Sequence, residues 1–585
     1  MWGTDRREPV TGRRRRAPER KRGPGRKTYG QGPGLLLGAG VLVAAGAVGV
    51  SVAFWPAGDG GSGTDLGATA ASSGETRPSE AAGAASSAPS AGSRTPSPAA
   101  PAPSPARVYP LSKTPRTIPA VREHVPARGP GWRPASTARV VVTGAGLADE
   151  GKLLAGELRM AYGGKVAPRA GDVQLTLAPG QAAKGPESYT LTVSNRRVTI
   201  AAPAEAGVFY GTRTLKQEVA GGGTASEGVV RDRPAKQRRG LSLDTARKHF
   251  PASWIEDRVR ELGDLKFNEL DLHFSDDQGF RIASDTHPEI VSRDHLTKAE
   301  VRRIVALAAS RHITVVPEID SPGHLGAVLA VHPELQLTNA QGTPVRGALD
   351  ISKPGAAKIV DDLLGEYADL FPGASWHLGG DEYRALAVAN PAVSYPQLAA
   401  AATARYGAGA RVSDLATGWL NDRAATVRAH GRTAVRAWND GFYLSSSVQA
   451  DKNIQVAYWT GKEIGARQPA GYLSAGRKVV NYNDEYLYYV LGQPNQFFYP
   501  TGERIYKQWT PRVLRGTTAV SSAYDSQILG GVFAVWCDLS NAQTQKQVAA
   551  GIRMPLRATV QKLWDPRAQP SLSWTDFKKL ANRLG

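Results

Sequence analysis

Cysteine is almost missing from this 585-residue chain: Cys537 stands alone, which excludes any intramolecular disulfide and leaves packing to hold the fold. Acidic residues are the scarcer charge, 52 against 72 Lys and Arg, for a formal net charge of +20. The excess is unevenly placed, because residues 1–33 carry eleven Lys and Arg, among them the run Arg13 to Arg16, against three acids. A basic tail therefore accounts for much of the charge, and a nucleic-acid partner is not expected. No repeat of fixed period runs through the chain, which sets aside repeat architectures. Apolar residues make up 41% of the sequence, ample for a large core.

One long apolar run follows the tail. Leu35 to Trp55 is uncharged over 21 residues, long enough to cross a hydrocarbon layer of about 30 Å as a helix. Read as a membrane anchor, it leaves the basic tail cytoplasmic and everything after Trp55 outside the cell. The other reading is a long signal peptide, with Ser51-Val52-Ala53 ahead of a cleavage site, and it exports the rest equally. Lys and Arg beside such a segment serve as a topology signal or meet anionic lipid. Residues 56–107 are mostly Ala, Ser, Pro, Gly and Thr and cannot bury enough surface to fold, so a disordered linker is expected there. The expected location is the cell membrane, single-pass with the folded part extracellular, or secreted if the segment is cleaved.

The domain plan is thus a basic tail (1–33), a membrane segment (34–55), a linker (56–107), a small α+β domain (108–235) and a large α/β domain (236–585). In the small domain the pattern reads as strands around one or two helices: Arg139 to Thr143, Leu153 to Tyr162, Val173 to Leu177, Tyr189 to Val193, Val198 to Ala201 and Phe209 to Gln217. It offers no nucleophile, acid pair or metal cluster, so packing is its expected role. Beyond it, short apolar strands alternate with helical stretches. The strands lie near Leu241 to Leu243, Glu269 to Phe274, Thr314 to Ile319, Ser375 to Leu378, Ala434 to Ala437, Gln455 to Tyr458, Val479 to Tyr482 and Val532 to Val535. Eight strands separated by helices predict a (β/α)8 TIM barrel.

Nearly every polar or aromatic cluster in this half follows one of those strands, where a barrel keeps its chemistry. Asp244-Thr245-Ala246-Arg247 follows the first and His273 to Arg281 the second. Glu318-Ile319-Asp320-Ser321-Pro322-Gly323-His324 ends the third, and Trp376-His377-Leu378-Gly379-Gly380-Asp381-Glu382 opens the fourth onto adjacent carboxylates. Neighbouring strand residues face opposite sides, so Asp381 and Glu382 are able to split roles, one ionised and one protonated as a general acid. A negative Asp381 is expected to raise the pKa of Glu382. The plainer alternative is a turn leading into an acidic first helical turn. Later strands end in aromatics: Trp438 with Asn439 and Asp440, Trp459, Tyr482 to Tyr489, and Trp536-Cys537-Asp538. Indole faces suit the C–H faces of a sugar, while carboxylates and Arg suit its hydroxyls.

With these motifs in order, residues 239–540 resemble the catalytic barrel of glycoside hydrolase family 20, the β-N-acetylhexosaminidases. The match rests on Asp244-x-x-Arg247, Leu272 to Arg281, Glu318 to His324 and His377 to Glu382. The segment with Glu187-Ser188-Tyr189 and Gly207-Val208-Phe209-Tyr210-Gly211 resembles the small domain that precedes this barrel in the family. The resemblance implies substrate-assisted cleavage of β-linked N-acetylhexosamine, in which the substrate's own 2-acetamido group is the nucleophile. It implies that Glu382 protonates the leaving oxygen, that Asp381 stabilises the oxazolinium charge and that Tyr486 bonds the acetamido carbonyl. It further implies that Arg247 binds sugar hydroxyls, that Asp276 and His324 form a relay holding Glu382, and that Trp438, Trp459 and Trp536 wall the acetamide and ring. Simpler readings are a surface pair between Arg247 and Asp244, and a satisfied core histidine at 324. No cofactor is implied and no metal is expected, since Asp276, Asp320 and His324 match no metal-binding spacing.

Two positions depart from the family pattern. Tyr486-Leu487 is followed by Tyr488 where the family has an Asp that holds the outer hydroxymethyl group, and the family's Trp-x-Glu reads Trp536-Cys537-Asp538. Both changes fall at the distal end of the pocket, where losing a carboxylate makes room for a second sugar. The sequence therefore leaves two products open: a single N-acetylhexosamine, or a disaccharide as released by the lacto-N-biosidase branch. A glycan-binding protein that has lost catalysis is a third reading. The expected partner is an oligosaccharide or glycoconjugate. Cys537, between two pocket-facing residues, is expected to point toward the helices and to serve packing.

Overall fold

The computed structural model describes residues 108–462, 467–567 and 569–585. The expected tail, membrane segment and linker lie outside the described residues. Among the described residues, no helix is long and apolar enough to cross a membrane.

Chain alternation builds the first layer. Seven strands form one mixed sheet in the order Glu123–Pro126, Gly228–Asp232, Tyr189–Ser194, Arg197–Ala202, Val173–Leu177, Arg139–Thr143, Ala161–Gly164. In Arg197–Ala202 the even positions Val198, Ile200 and Ala202 are fully buried and the odd ones half exposed, the period of a strand with one face on a core. The helices Ala148–Leu158 and Glu205–Val219 complete the domain. Leu153 to Tyr162, read as one element in the sequence, is two: the helix stops where Arg159 turns left-handed at φ 54°, and a strand begins at Ala161.

This sheet domain and the barrel belong to one compact unit, so the expected boundary near residue 235 falls inside it. Trp564, from the last long helix Gln545–Trp564, is buried in the core of the sheet domain, and its indole N–H donates to Asp232 Oδ1 at 2.9 Å. Arg239, on the first barrel strand and fully buried, pairs with Glu187 at 2.6 Å. These contacts pack the sheet domain against the barrel.

The barrel strands are Arg238–Asp244, Glu269–His273, Thr314–Glu318, Ser375–His377, Ala434–Trp438, Gln455–Tyr458, Val479–Asn481 and Ile528–Trp536, parallel throughout and closed by pairing of the last two. One feature was not legible in the sequence: a further strand, Tyr488–Val490, pairs with the upper part of Ile528–Trp536, opposite Ala534 to Trp536. The seventh barrel position is thus in two pieces. Asn483 makes the break, its side-chain oxygen accepting from the Glu485 amide at 2.8 Å in an Asx turn. Alternation in the second piece sends Tyr488 and Val490 inward and Tyr489 outward, where it stacks on Tyr499 at 4.3 Å.

The barrel floor is charged, where bulky aliphatic layers are the rule. Arg436 lies 3.1 Å from Glu269 and 3.5 Å from Asp271, Tyr482 donates to Asp271 at 2.5 Å, and Arg238 pairs with Glu269. Above this layer, His273 contacts Glu318 at 3.3 Å, and the Trp438 indole donates to Glu318 at 2.8 Å.

Candidate active site

The carboxylate pair is placed by backbone that only particular residues tolerate. Gly379 and Gly380 adopt φ 64° and 97°, and a Cβ on Gly379 would collide with the Asp320 carboxyl, so this turn requires glycine. Glu382 itself is left-handed at φ 48°, an unfavourable conformation for a non-glycine residue. Its amide donates to Asp440 Oδ2 at 2.9 Å, and the other Asp440 oxygen accepts from the Trp459 indole at 2.9 Å. Asp440 thereby ties the fourth, fifth and sixth strand ends together.

At the C-terminal end of the barrel opens a cavity of about 500 Å³. Arg247, His324, Asp381, Glu382, Trp459, Trp536 and Asp538 line it, together with Tyr488, Val490, Phe497, Lys462 and Asp484. Residues predicted from five strand ends therefore meet in one place. Arg247 is held by three carboxylates, Asp276 at 2.7 Å, Asp244 at 3.0 Å and Asp538 at 3.7 Å, and its guanidinium stands 5.6 Å from the Trp536 ring. It does pair with Asp244, but inside this cavity.

Three sequence-predicted residues do not line the cavity. Trp438 and Asp276 lie beneath it, each 1% exposed. Trp438 packs on His377 and Tyr482 at 4.4 and 4.8 Å, a floor support in place of the expected wall. Tyr486 requires a larger correction. It sits in the turn before the split strand, buried in the outer layer, with the Arg504 guanidinium 4.4 Å over its ring and its hydroxyl 3.4 Å from Gln508. Tyr488 is the tyrosine that faces the cavity, stacked parallel to Trp459 at 5.8 Å. Strand alternation is the signal that would have found this.

His324 links the acids. Its Nδ1 is 3.4 Å from Asp276, and its Nε2 is 3.4 Å from Glu382 and 3.6 Å from Asp381. Burial works against its charge, but Asp381 and Asp276 outweigh that and push its pKa well up. Burial raises Asp276, yet His324 and His273 hold it well below the usual carboxylate range. Asp381 is pushed well up, first by burial and then by the neighbouring Asp320. Glu382, its side chain 46% exposed, is lowered, chiefly by its hydrogen bond from His324. This inverts the expectation from adjacency: Asp381 is the carboxyl that favours its proton, chiefly because it is buried and then because Asp320 adjoins it, whereas His324 favours the ionised form of Glu382. Burial also raises Asp440 to about 6. Asp320 and Asp440 stand in the sequence motifs without an expected role. Cys537 is fully buried with its thiol pushed well up by burial, as a packing residue should be.

Comparison with known proteins agrees with fold and site. The catalytic domain of glycosyl hydrolase family 20 matches residues 237–564, and domain 2 of the same family matches residues 114–233. The chain belongs to glycoside hydrolase family 20. It is 29% identical over 479 residues to a lacto-N-biosidase of Bifidobacterium bifidum, covering 80% of this chain and 42% of that protein. A beta-hexosaminidase of Akkermansia muciniphila is 33% identical over 222 residues, covering 34% of this chain and 45% of the relative. The chain thus spans less than half the length of these relatives. Among solved structures, a mutant Streptomyces plicatus beta-hexosaminidase in complex with its product GlcNAc superposes with TM-score 0.63 at 25% identity, covering 82% of this chain and 95% of that one.

Proposed function

We propose that this chain hydrolyses β-linked N-acetylhexosaminides by substrate-assisted catalysis and releases a disaccharide. The observation that carries the second half is Val490: with Tyr488 taken as the tyrosine of the Tyr-x-Asp that the resemblance implies, this apolar residue stands where the carboxylate holding the outer hydroxymethyl group belongs. Phe497 and Val490 extend the cavity beyond Trp459 and Tyr488 with apolar surface. A site without that acid no longer demands a free hydroxyl at its far end.

In this reading the acetamido carbonyl oxygen attacks the anomeric carbon while Glu382 gives its proton to the departing glycosidic oxygen. Water then attacks the same carbon, Glu382 takes the proton, and the configuration is retained. Asp381 balances the positive charge that forms on the acetamide, and Tyr488 donates to its carbonyl oxygen. This chemistry needs the opposite proton distribution. A sugar covering Glu382 removes its exposure and raises its pKa, while positive charge developing beside Asp381 favours the ionised carboxylate there. The apolar run at 35–55 supports a site that works outside the cell, tethered by residues 56–107.

The test is product analysis with matched aryl glycosides, comparing release of N-acetylglucosamine with release of galactosyl-β-1,3-N-acetylglucosamine by the full chain. Disaccharide release alone is expected. Release of only the monosaccharide overturns the Val490 argument, and turnover of neither leaves a sugar-binding protein.

A further inference from the structure

A second cluster of ligating side chains lies away from the catalytic cavity, in two turns with the same sequence. His287-Pro288-Glu289 and His332-Pro333-Glu334 each open a short 3-10 turn, with the histidine at φ −136°, ψ 63° in one and φ −116°, ψ 60° in the other. In each, Nδ1 of the histidine faces its own glutamate, at 3.1 Å for Glu289 and 3.3 Å for Glu334. The two turns meet at Glu289. Its Oε1 is also 3.0 Å from Nε2 of His332, and the two imidazole rings stand 6.3 Å apart and perpendicular. His287 Nε2 in turn faces Asp362 at 3.2 Å, on the helix Pro354–Leu370.

Four ring nitrogens thus face carboxylate oxygens. A neutral imidazole has one N–H, so two of these four contacts would set a lone pair against a carboxylate. A cation at the shared Glu289 oxygen removes that conflict. His287 Nδ1, Glu289 Oε1 and His332 Nε2 lie within 4.8 Å of one another, and the remaining nitrogens keep N–H donors for Asp362 and Glu334. A carboxylate behind each ligating histidine is the usual device for fixing its tautomer and ring. The observed 3.0 and 3.1 Å separations approach the roughly 3.3 Å edge of a tetrahedron with Zn–N bonds of about 2.0 Å.

We propose that His287, Glu289 and His332 bind one borderline divalent transition-metal ion, of which Zn²⁺ is the best fit to two imidazoles and a carboxylate. Water completes the coordination, since Glu289 is 38% and His332 25% exposed. The ion would brace the loops that follow the second and third barrel strands. Those loops carry Asp276 and His324, so the brace stabilises their arrangement without touching substrate.

The experiment is calorimetric titration of ZnCl₂ into the untagged full chain, first stripped with chelator and then freed of it, with melting and hydrolysis followed in parallel. One equivalent is expected to bind and to raise Tm. His332→Ala and His287→Ala each weaken binding by more than about 100-fold, and Asp362→Asn by about 10-fold. All three variants keep wild-type hydrolysis in the absence of metal. Glu289→Gln, nearly isosteric, should lose binding while melting normally, which separates ligand loss from misfolding. Absence of stoichiometric binding overturns the proposal. So does binding that survives His332→Ala and inhibits hydrolysis, because Asp320, His324 and Asp381 also converge and would then be the ligands.

Discussion

The floor and the mouth of the barrel are both lined with buried charge, but they are balanced differently. On the floor, Glu269 and Asp271 face Arg436 and Arg238, and Tyr482 completes the set. At the mouth, Asp276, Asp320, Asp381, Glu382, Asp440 and Asp538 gather around Arg247 and His324, and Lys462 pairs with Asp484. On the floor each acid meets a guanidinium, though burial still raises Asp271 to about 7. At the mouth acids outnumber cations, and burial among them pushes Asp381 well up and Asp440 to about 6. In the proposed reaction the transition state carries positive charge, which such an excess of acid favours.

The difference is broken most severely at Glu382. Glu382→Gln is expected to cut turnover by about 10²- to 10⁴-fold with Tm nearly unchanged, in steady-state assays. Arg436→Met should do the reverse. It leaves Glu269 and Asp271 short of a partner and destabilises by about 3–5 kcal/mol in denaturant unfolding, while the folded fraction keeps its kcat. Tyr488→Phe should lower kcat/KM by about 10²-fold, since it removes one donor to the acetamide, and Tyr486→Phe should leave it within a few-fold.

Asp320→Asn sharpens the electrostatic side. In the proposed mechanism Asp381 works ionised; burial and then Asp320 hold its pKa up, and replacing the Asp320 carboxyl by an amide lowers it. The acid limb of the kcat/KM profile should move down by about one pH unit. An unchanged or upward-moving limb would show that Asp320 does not set the ionisation of Asp381. The smallest effect is expected from Val490→Asp, which should raise the ratio of monosaccharide to disaccharide product by about 10-fold.

The amino-acid sequence by itself carries most of the mouth of the barrel and little of its floor. The eight barrel strands are runs of buried Val, Leu, Ile and Trp bounded by polar clusters, and strand ends are where a barrel exposes function, so Arg247, His324, Asp381, Glu382, Trp459, Trp536 and Asp538 are legible as one site. Tyr488 is not, because four consecutive residues from Tyr486 to Tyr489 hold three tyrosines, and only the break at Asn483 fixes which of them faces inward. The proton distribution is hidden for a different reason. Adjacency in sequence suggests that Asp381 controls Glu382, whereas His324 and Asp320, brought in from the third strand end, decide both. The charged floor is equally invisible, since Glu269, Asp271 and Arg436 read as the polar positions of ordinary strands.

Trp564 carries a consequence for how the molecule is made. It comes 332 residues after Asp232, to which its indole donates, yet it fills the core of the sheet domain that is synthesised first. That domain therefore cannot finish its interior while the barrel is still being translated, and its last core side chain arrives only with the helix Gln545–Trp564. Vectorial emergence leaves the first domain waiting on the final stretch of chain, so truncation anywhere before Trp564 strips both domains at once.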